Sequence, residues 1–281
     1  MGRTMTGRRI NRVIRYIVLT LIAVYTLFPL YFLFVNSFKS QAQIVINPLQ
    51  PPEAFSAEYL TNAIEQISFF ESFITTLLLT VTALALIIVV SSLAAWAMVR
   101  NRTRASTIVF LAFTAAMLIP FQSVMFPLVN LFDQIGLKNF PGLVLMYGGF
   151  GLSMSVFLYN VFMKGVPRSL EEAAFIDGAS VLQVYLNVVM PLVRSTTVTV
   201  VILNGIWIWN DYLLPFLVVA NQPRKTLTLS LYFAQLTSGQ YGSPFELVFP
   251  AVLVTILPVI VAFMFLQKQI MAGVTEGAVK G

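Results

Sequence analysis

A carboxylate set among aromatic rings is the first place in this sequence where chemistry could occur. Asp211 stands beside Trp207, Trp209 and Asn210 in an otherwise charge-free apolar run. A charged Asp at the centre of a membrane helix costs about 2.5–3.5 kcal/mol on insertion scales, so it must face a cavity or a partner group. Rings next to amide and carboxylate groups suit sugars, whose C–H faces stack on aromatics while their hydroxyls need acceptors. The cluster therefore reads either as the lining of a translocation pathway or as a polar clamp between helices. One lone carboxylate makes a poor proton relay.

The second constellation is Lys164–Arg194. Ser169 with Glu172 three residues on has the form of a capping box, which starts a helix over 170–177. Gly178 stops that helix, because glycine takes the left-handed cap conformation cheaply. Ser180 with Gln183 repeats the pattern and starts a second helix that runs to Pro191. Ala173, Ala174 and Phe175 leave the first helix smooth enough for a close approach, with Glu171, Glu172 and Asp177 at its rim for basic residues of a partner. Glu172 could simply cap its own helix. A loop that only joins two spans has little need of two capped helices, however, and a docking element fits better.

These residues must be positioned by a membrane framework. Of 281 residues, 58% are hydrophobic and 10% charged, against about 25% charged in soluble domains. A water-facing surface cannot be covered from that supply. There are no Cys and no His, which excludes disulfides, thiol chemistry, histidine acid–base catalysis and Cys/His metal sites. No catalytic residue and no metal ligand is assigned. Crossing a bilayer as a helix takes about 20 mostly apolar residues, and unpaired backbone in lipid rules out open strands. Six such spans are expected at about 14–37, 72–99, 106–132, 141–163, 195–220 and 246–267, in a single all-α membrane domain covering 1–281, with the loop 164–194 between the fourth and fifth. Prolines 29, 120, 127, 215, 250 and 258 predict kinks in these spans rather than breaks. The first apolar run is longer than a signal peptide's ~7–15-residue core and lacks a small-residue cleavage motif, so it reads as a retained span.

Six spans put both termini on one side. All of the 17 basic residues except Lys39, Lys138, Arg224 and Lys225 would share that side, a skew that makes it cytoplasmic. The net charge of +6, including the Arg3–Arg15 cluster, is thus a topology signal and calls for no nucleic acid. The longest outside segments are 36–71 and 221–246.

Glu172-Ala173-Ala174, Gly178 and Val188-Val189-Met190-Pro191, at their spacing here, resemble the EAA signature of permease subunits of ATP-binding-cassette importers. Ile119-Pro120, Pro127-Leu128, Gly136-Leu137, Trp209-Asn210-Asp211 and the stretch Gly273–Gly281 are similar to the carbohydrate-uptake branch, in particular to the smaller maltose-transporter-type permease. One departure is Ser195, where many relatives carry proline. The resemblance implies a type I importer permease fold in a bacterial-type cytoplasmic (inner) membrane. It also implies a second homologous permease, two ATPase subunits and an extracytoplasmic sugar-binding protein as partners, besides the lipid bilayer. The 170–177 segment would be the coupling helix, with Glu171, Glu172, Ala173, Ala174, Asp177 and Gly178 docking on an ATPase subunit and Glu172 meeting a basic residue there. ATP and Mg would be used by those subunits and no cofactor would bind this chain, which has no Gly-x-x-x-x-Gly-Lys-Ser/Thr loop. Gln240, Tyr241 and Ser243 would lie in the loop that reaches the binding protein. The competing class is an ion-gradient-driven secondary transporter or channel, which has no reason to hold a capped helix pair in the 164–194 loop. A membrane enzyme lacks any paired carboxylates or nucleophile–base set in the spans.

Overall fold

The structure, a computed structural model, describes residues 3–237 and 244–278, with side chains placed for 12–236, 244–265 and 267. All regular secondary structure among the described residues is helical. In chain order the helices are α1 (Arg3–Asn36), α2 (Gln41–Ile46), α3 (Glu58–Gln66), α4 (Phe69–Arg100), α5 (Arg104–Ala116), α6 (Phe121–Gln134) and α7 (Phe140–Met163). They continue with α8 (Arg168–Ile176), α9 (Val181–Val184), a π-helical turn (Tyr185–Val189), α10 (Met190–Leu192), α11 (Arg194–Asn210), α12 (Leu213–Val219), α13 (Leu227–Thr237) and α14 (Phe245–Ala278).

Four of these are long and apolar enough to cross a membrane, and up to six if each of two bent pairs counts as one span. The four lie where charge-free runs predict them. The bent pairs are α5 with α6 and the run Val181–Leu192 with α11, and the two remaining expected spans depart from expectation. The 106–132 span is broken at 117–120, where α5 and α6 diverge by 105°. Pro120 is the N-cap of α6 in extended conformation (ψ 137°), so it ends a helix instead of kinking one. The 195–220 span is also broken, at Asp211–Tyr212, with Pro215 in the first turn beyond the break. Prolines 29, 127, 250 and 258 do lie within continuous helices. The 221–246 segment, expected as a loop, contains α13, whose Leu227 and Leu229 are fully buried.

The chain folds as two compact units, Met1–Phe69 with Ser230–Val259, and Phe70–Leu229 with Ile260–Gly281. In the first, Phe32 meets Phe249 edge-on at 5.5 Å. Gln41 N donates to Glu246 Oε2 (3.0 Å) while Glu246 N donates to Gln41 Oε1 (3.4 Å), pinning α2 to the start of α14. Lys39 is almost wholly buried and its ammonium donates to Asn36 Oδ1 (3.2 Å) and to the carbonyls of Asn47 (2.9 Å) and Pro48 (3.4 Å). Burial holds its pKa below the usual lysine value. Residues 12–31 of α1 are all exposed, an apolar surface that hydrocarbon or another apolar helix must cover.

In the second unit α7 is the hub, packed on α5, α11 and α12. Leu143, Tyr147, Val156, Tyr159 and Met163 on it are inaccessible to solvent. Its first turn admits no side chain at Gly142, where a Cβ would stand 1.7 Å from the Leu137 carbonyl oxygen. Because that obstacle is backbone, Gly142→Ala forces the 137–142 turn to move. The expected result is a loss of about 1–3 kcal/mol, seen as a lower melting temperature in detergent. Gly149→Ala, with nothing within 4 Å of the added methyl, should melt no lower than the parent, since Ala favours a helix over Gly.

Candidate functional site

The 164–194 loop departs in one respect from its expected build. No Ser169–Glu172 capping box forms: α8 starts two residues earlier, at Arg168 after Pro167, and has no side-chain cap. Proline's fixed φ and missing N–H suit that entry. Glu172 instead pairs with Arg168 at 3.2 Å across one helical turn. The exit is as expected. Gly178 has φ +85°, its N–H donates to Phe175 O (3.1 Å), and Ala179 N donates to Ala174 O (3.0 Å); this pair of bonds is the Schellman closure. Ser180 and Gln183 form the second capping box. The helix it starts is shorter than expected, because the backbone shifts to π geometry at Tyr185. Across Val193 the chain bends by 76° into α11.

Of the docking residues, Glu172, Ala173, Asp177 and Gly178 are exposed, Ala174 is half-buried, and Ile176 beside them is 86% exposed. Glu171 departs from the expectation of a rim position. It is 3% exposed and points into the protein. Its Oε1 accepts from Arg100 Nε (2.8 Å) and is ion-paired with Arg100 Nη2, while Oε2 accepts from Trp96 Nε1 (3.1 Å). Two adjacent glutamates thus have different tasks, because consecutive helical residues point about 100° apart.

Asp211 is not at a helix centre. It is the C-cap of α11 in extended conformation (ψ 131°), and its N–H donates to Trp207 O (3.1 Å). Its Oδ1 accepts from Leu213 N (2.9 Å) at the start of α12, and its Oδ2 accepts from the buried Tyr147 hydroxyl (2.9 Å). The Thr228 hydroxyl donates to its carbonyl oxygen (2.8 Å). One residue therefore closes two helices and ties them to α7 and α13. The neighbouring candidates do not gather into one site. Trp207 packs edge-on against Tyr147 (5.3 Å) and Phe150 (6.4 Å), whereas Trp209 turns to Phe73 (5.8 Å), and the exposed Asn210 donates back to Ile206 O (2.8 Å).

Trp207 also lines a cavity of about 660 Å³ beneath the α5–α6 bend, with Met117, Phe121, Phe150, Ser153 and Asn204 among its other walls. That size falls in the usual range of about 300–1,000 Å³ for small-molecule pockets. Gln240, Tyr241 and Ser243 lie outside the described residues. Ser92, Trp96, Arg100, Tyr147 and Tyr185 carry interactions that reading the sequence missed. Arg100 closing a charge-free run with Trp96 one turn before it was the available signal for one face of α4; nothing in the sequence pointed to Tyr147.

The chain is similar to the probable starch degradation products transport system permease protein AmyC of Thermoanaerobacterium thermosulfurigenes, 40% identical over 252 residues (90% of this chain, 91% of the relative). It is 32% identical over 257 residues to the melibiose/raffinose/stachyose import permease protein MelC of Bacillus subtilis (90% and 91%). With the trehalose transport system permease protein SugB of Mycobacterium tuberculosis it shares 30% identity over 264 residues (93% and 95%). The fold matches a chain in a crystal structure of a bacterial ABC transporter involved in the import of the acidic polysaccharide alginate, with TM-score 0.79, 22% identity and coverage of 95% and 98%. The family described as "Binding-protein-dependent transport system inner membrane component" matches residues 87–275, from the middle of α4 into α14. This chain belongs to that family: it is a multi-pass inner-membrane permease subunit of an ATP-binding-cassette importer, which works with a substrate-binding protein and an ATPase.

Proposed function

We propose that the chain is one of two permeases in a carbohydrate importer, forming half of the pathway and passing the movements of two ATPase subunits to it through α8. The observation that carries this is α8 itself. It is a short helix stopped by a left-handed glycine, and it presents Glu172, Ala173, Ile176 and Asp177 outward while its other acid faces inward. In this reading the side rich in basic residues, including both termini and α8, is cytoplasmic. ATP and Mg bind the ATPase subunits. This chain transmits their closure and hydrolyses nothing.

Nucleotide can shift the permease only by favouring one of two packings, and a protruding helix gripped by the closing ATPase supplies that preference. The names of the relatives support an oligosaccharide as cargo. The cavity beneath the α5–α6 bend suits the wall of such a pathway, since Phe121, Phe150 and Trp207 offer rings to sugar C–H faces while Asn204 and Ser153 offer polar groups. Glu172 would meet a basic residue of the ATPase, and Gln240, Tyr241 and Ser243 would contact the binding protein. The ion-gradient alternative finds no support in the family.

The test is reconstitution of the permease pair with its ATPase and binding protein in liposomes. Uptake of maltose-, raffinose- or trehalose-type sugars should require ATP and the binding protein, and the transported sugar should stimulate hydrolysis. Accumulation of solute by this chain alone, without nucleotide, would overturn the proposal.

A further inference from the structure

We infer that Ser92, Trp96 and Arg100 form a clasp by which the docking loop grips α4, so that α8 and this membrane helix move as one body. The inference rests on α8 being the docking helix and adds the route by which its motion enters the membrane. Residues four apart on a helix share a face, and this one meets the loop at three successive points. Arg100 Nη2 donates to the Val166 carbonyl (3.3 Å), just before α8. Arg100 and Trp96 together occupy both oxygens of Glu171, within α8. Ser92 Oγ and Tyr185 Oη lie 2.6 Å apart, and the Trp96 and Tyr185 rings are 5.5 Å apart and tilted by 34°. The π-helical turn begins at Tyr185, and such turns are frequent at functional sites. Ser92, Glu171 and Tyr185 are all buried, and Arg100's side chain is 15% exposed.

The chemistry of the clasp argues for geometry over stability. A buried ion pair can often be exchanged for apolar residues of similar volume with no loss of stability. What such an exchange gives up is directional hold, since the guanidinium fork and the indole N–H fix the carboxylate in one orientation. Covalent continuity already joins the loop to α7 and α11. The clasp adds a third attachment, to a helix 71 residues away in sequence. A pull on α8 then displaces three helices together instead of bending a loop. Glu172, exposed on the outer side and paired with the likewise exposed Arg168, remains accessible to a partner.

The decisive variant is Arg100→Met with Glu171→Met, which removes the ion pair without stranding a charge. In the assembled, reconstituted transporter it should bind the ATPase subunits and hydrolyse ATP near the parental rate. Sugar moved per ATP should fall at least about fivefold, the low end of typical coupling between sites. Tyr185→Phe removes the hydroxyl contact with Ser92 and keeps the ring, and should lower the same ratio at least about twofold, the low end of what one hydrogen bond is worth. A merely structural role would lower assembly and both activities in step. An unchanged ratio in the assembled double variant overturns the clasp; should that variant not assemble, an unchanged ratio in Tyr185→Phe does so. A parental complex that shows no sugar-stimulated hydrolysis would instead remove the transporter reading beneath it.

Discussion

Glu172→Lys is expected to abolish sugar-stimulated ATP hydrolysis by the reconstituted transporter while leaving the permease itself folded. The Glu172 side chain is 61% exposed, and its partner Arg168 is 69% exposed. An exposed pair one turn apart on a helix is worth about 0.3–0.5 kcal/mol, so the isolated chain should melt almost as before. In a closed interface the same carboxylate would face a cation with little water between them. Reversing its charge there leaves two like charges in contact, at a cost of several kcal/mol, and truncation of a buried interfacial pair alone costs about 2–5 kcal/mol. At about 1.4 kcal/mol per tenfold change in affinity, that suffices to empty the site at working concentrations. Glu172→Gln, which keeps the shape, should lose less. The checks are co-purification of the ATPase with the variant permease and hydrolysis with and without sugar-loaded binding protein. Wild-type stimulation by Glu172→Lys would remove the docking role from α8.

Asp211→Ala is expected to act in the opposite way, on stability first. The change removes the acceptor of the Tyr147 hydroxyl and the cap on Leu213 N. An orphaned buried hydroxyl costs about 1–3 kcal/mol, and loss of a helix cap costs about 1 kcal/mol more. Together these are a large fraction of a marginal stability of about 5–15 kcal/mol. The melting temperature and the yield of assembled complex should both drop. Asp211→Asn keeps one acceptor oxygen and should retain about half of the loss-prone stability, in line with one hydrogen bond surviving. Adding Tyr147→Phe to Asp211→Ala removes the orphan and should recover part of the deficit, because contacting residues do not contribute additively. An Asp211→Ala complex that assembles and melts like the parent yet fails to transport would restore the pathway reading and overturn the clamp.

Hydrophobic run length is a local property, because the bilayer asks only for about 20 apolar residues at a time. The positions of α1, α4, α7 and α14 were therefore legible without any knowledge of contacts. The Gly178 stop and the Ser180–Gln183 cap were legible for the same reason: their hydrogen bonds close within a few residues. Ser169 and Glu172 show the limit of that local code, since Pro167 offered a competing start two residues earlier and prevailed.

The rest depended on partners remote in the chain. Whether 195–220 continues or breaks was decided where Asp211 spends its two oxygens, one of them on a tyrosine 64 residues away. Trp207 and Trp209 sit two apart, so a helix sends them to different neighbours, and only the packing of α4 and α7 shows which one meets the cavity. Glu171 and Glu172 are the same residue type side by side, and the sequence set both at the rim of the helix. What separates them is Arg100, brought beneath α8 by the fold: it neutralises one carboxylate inside the protein and leaves the other to the outside.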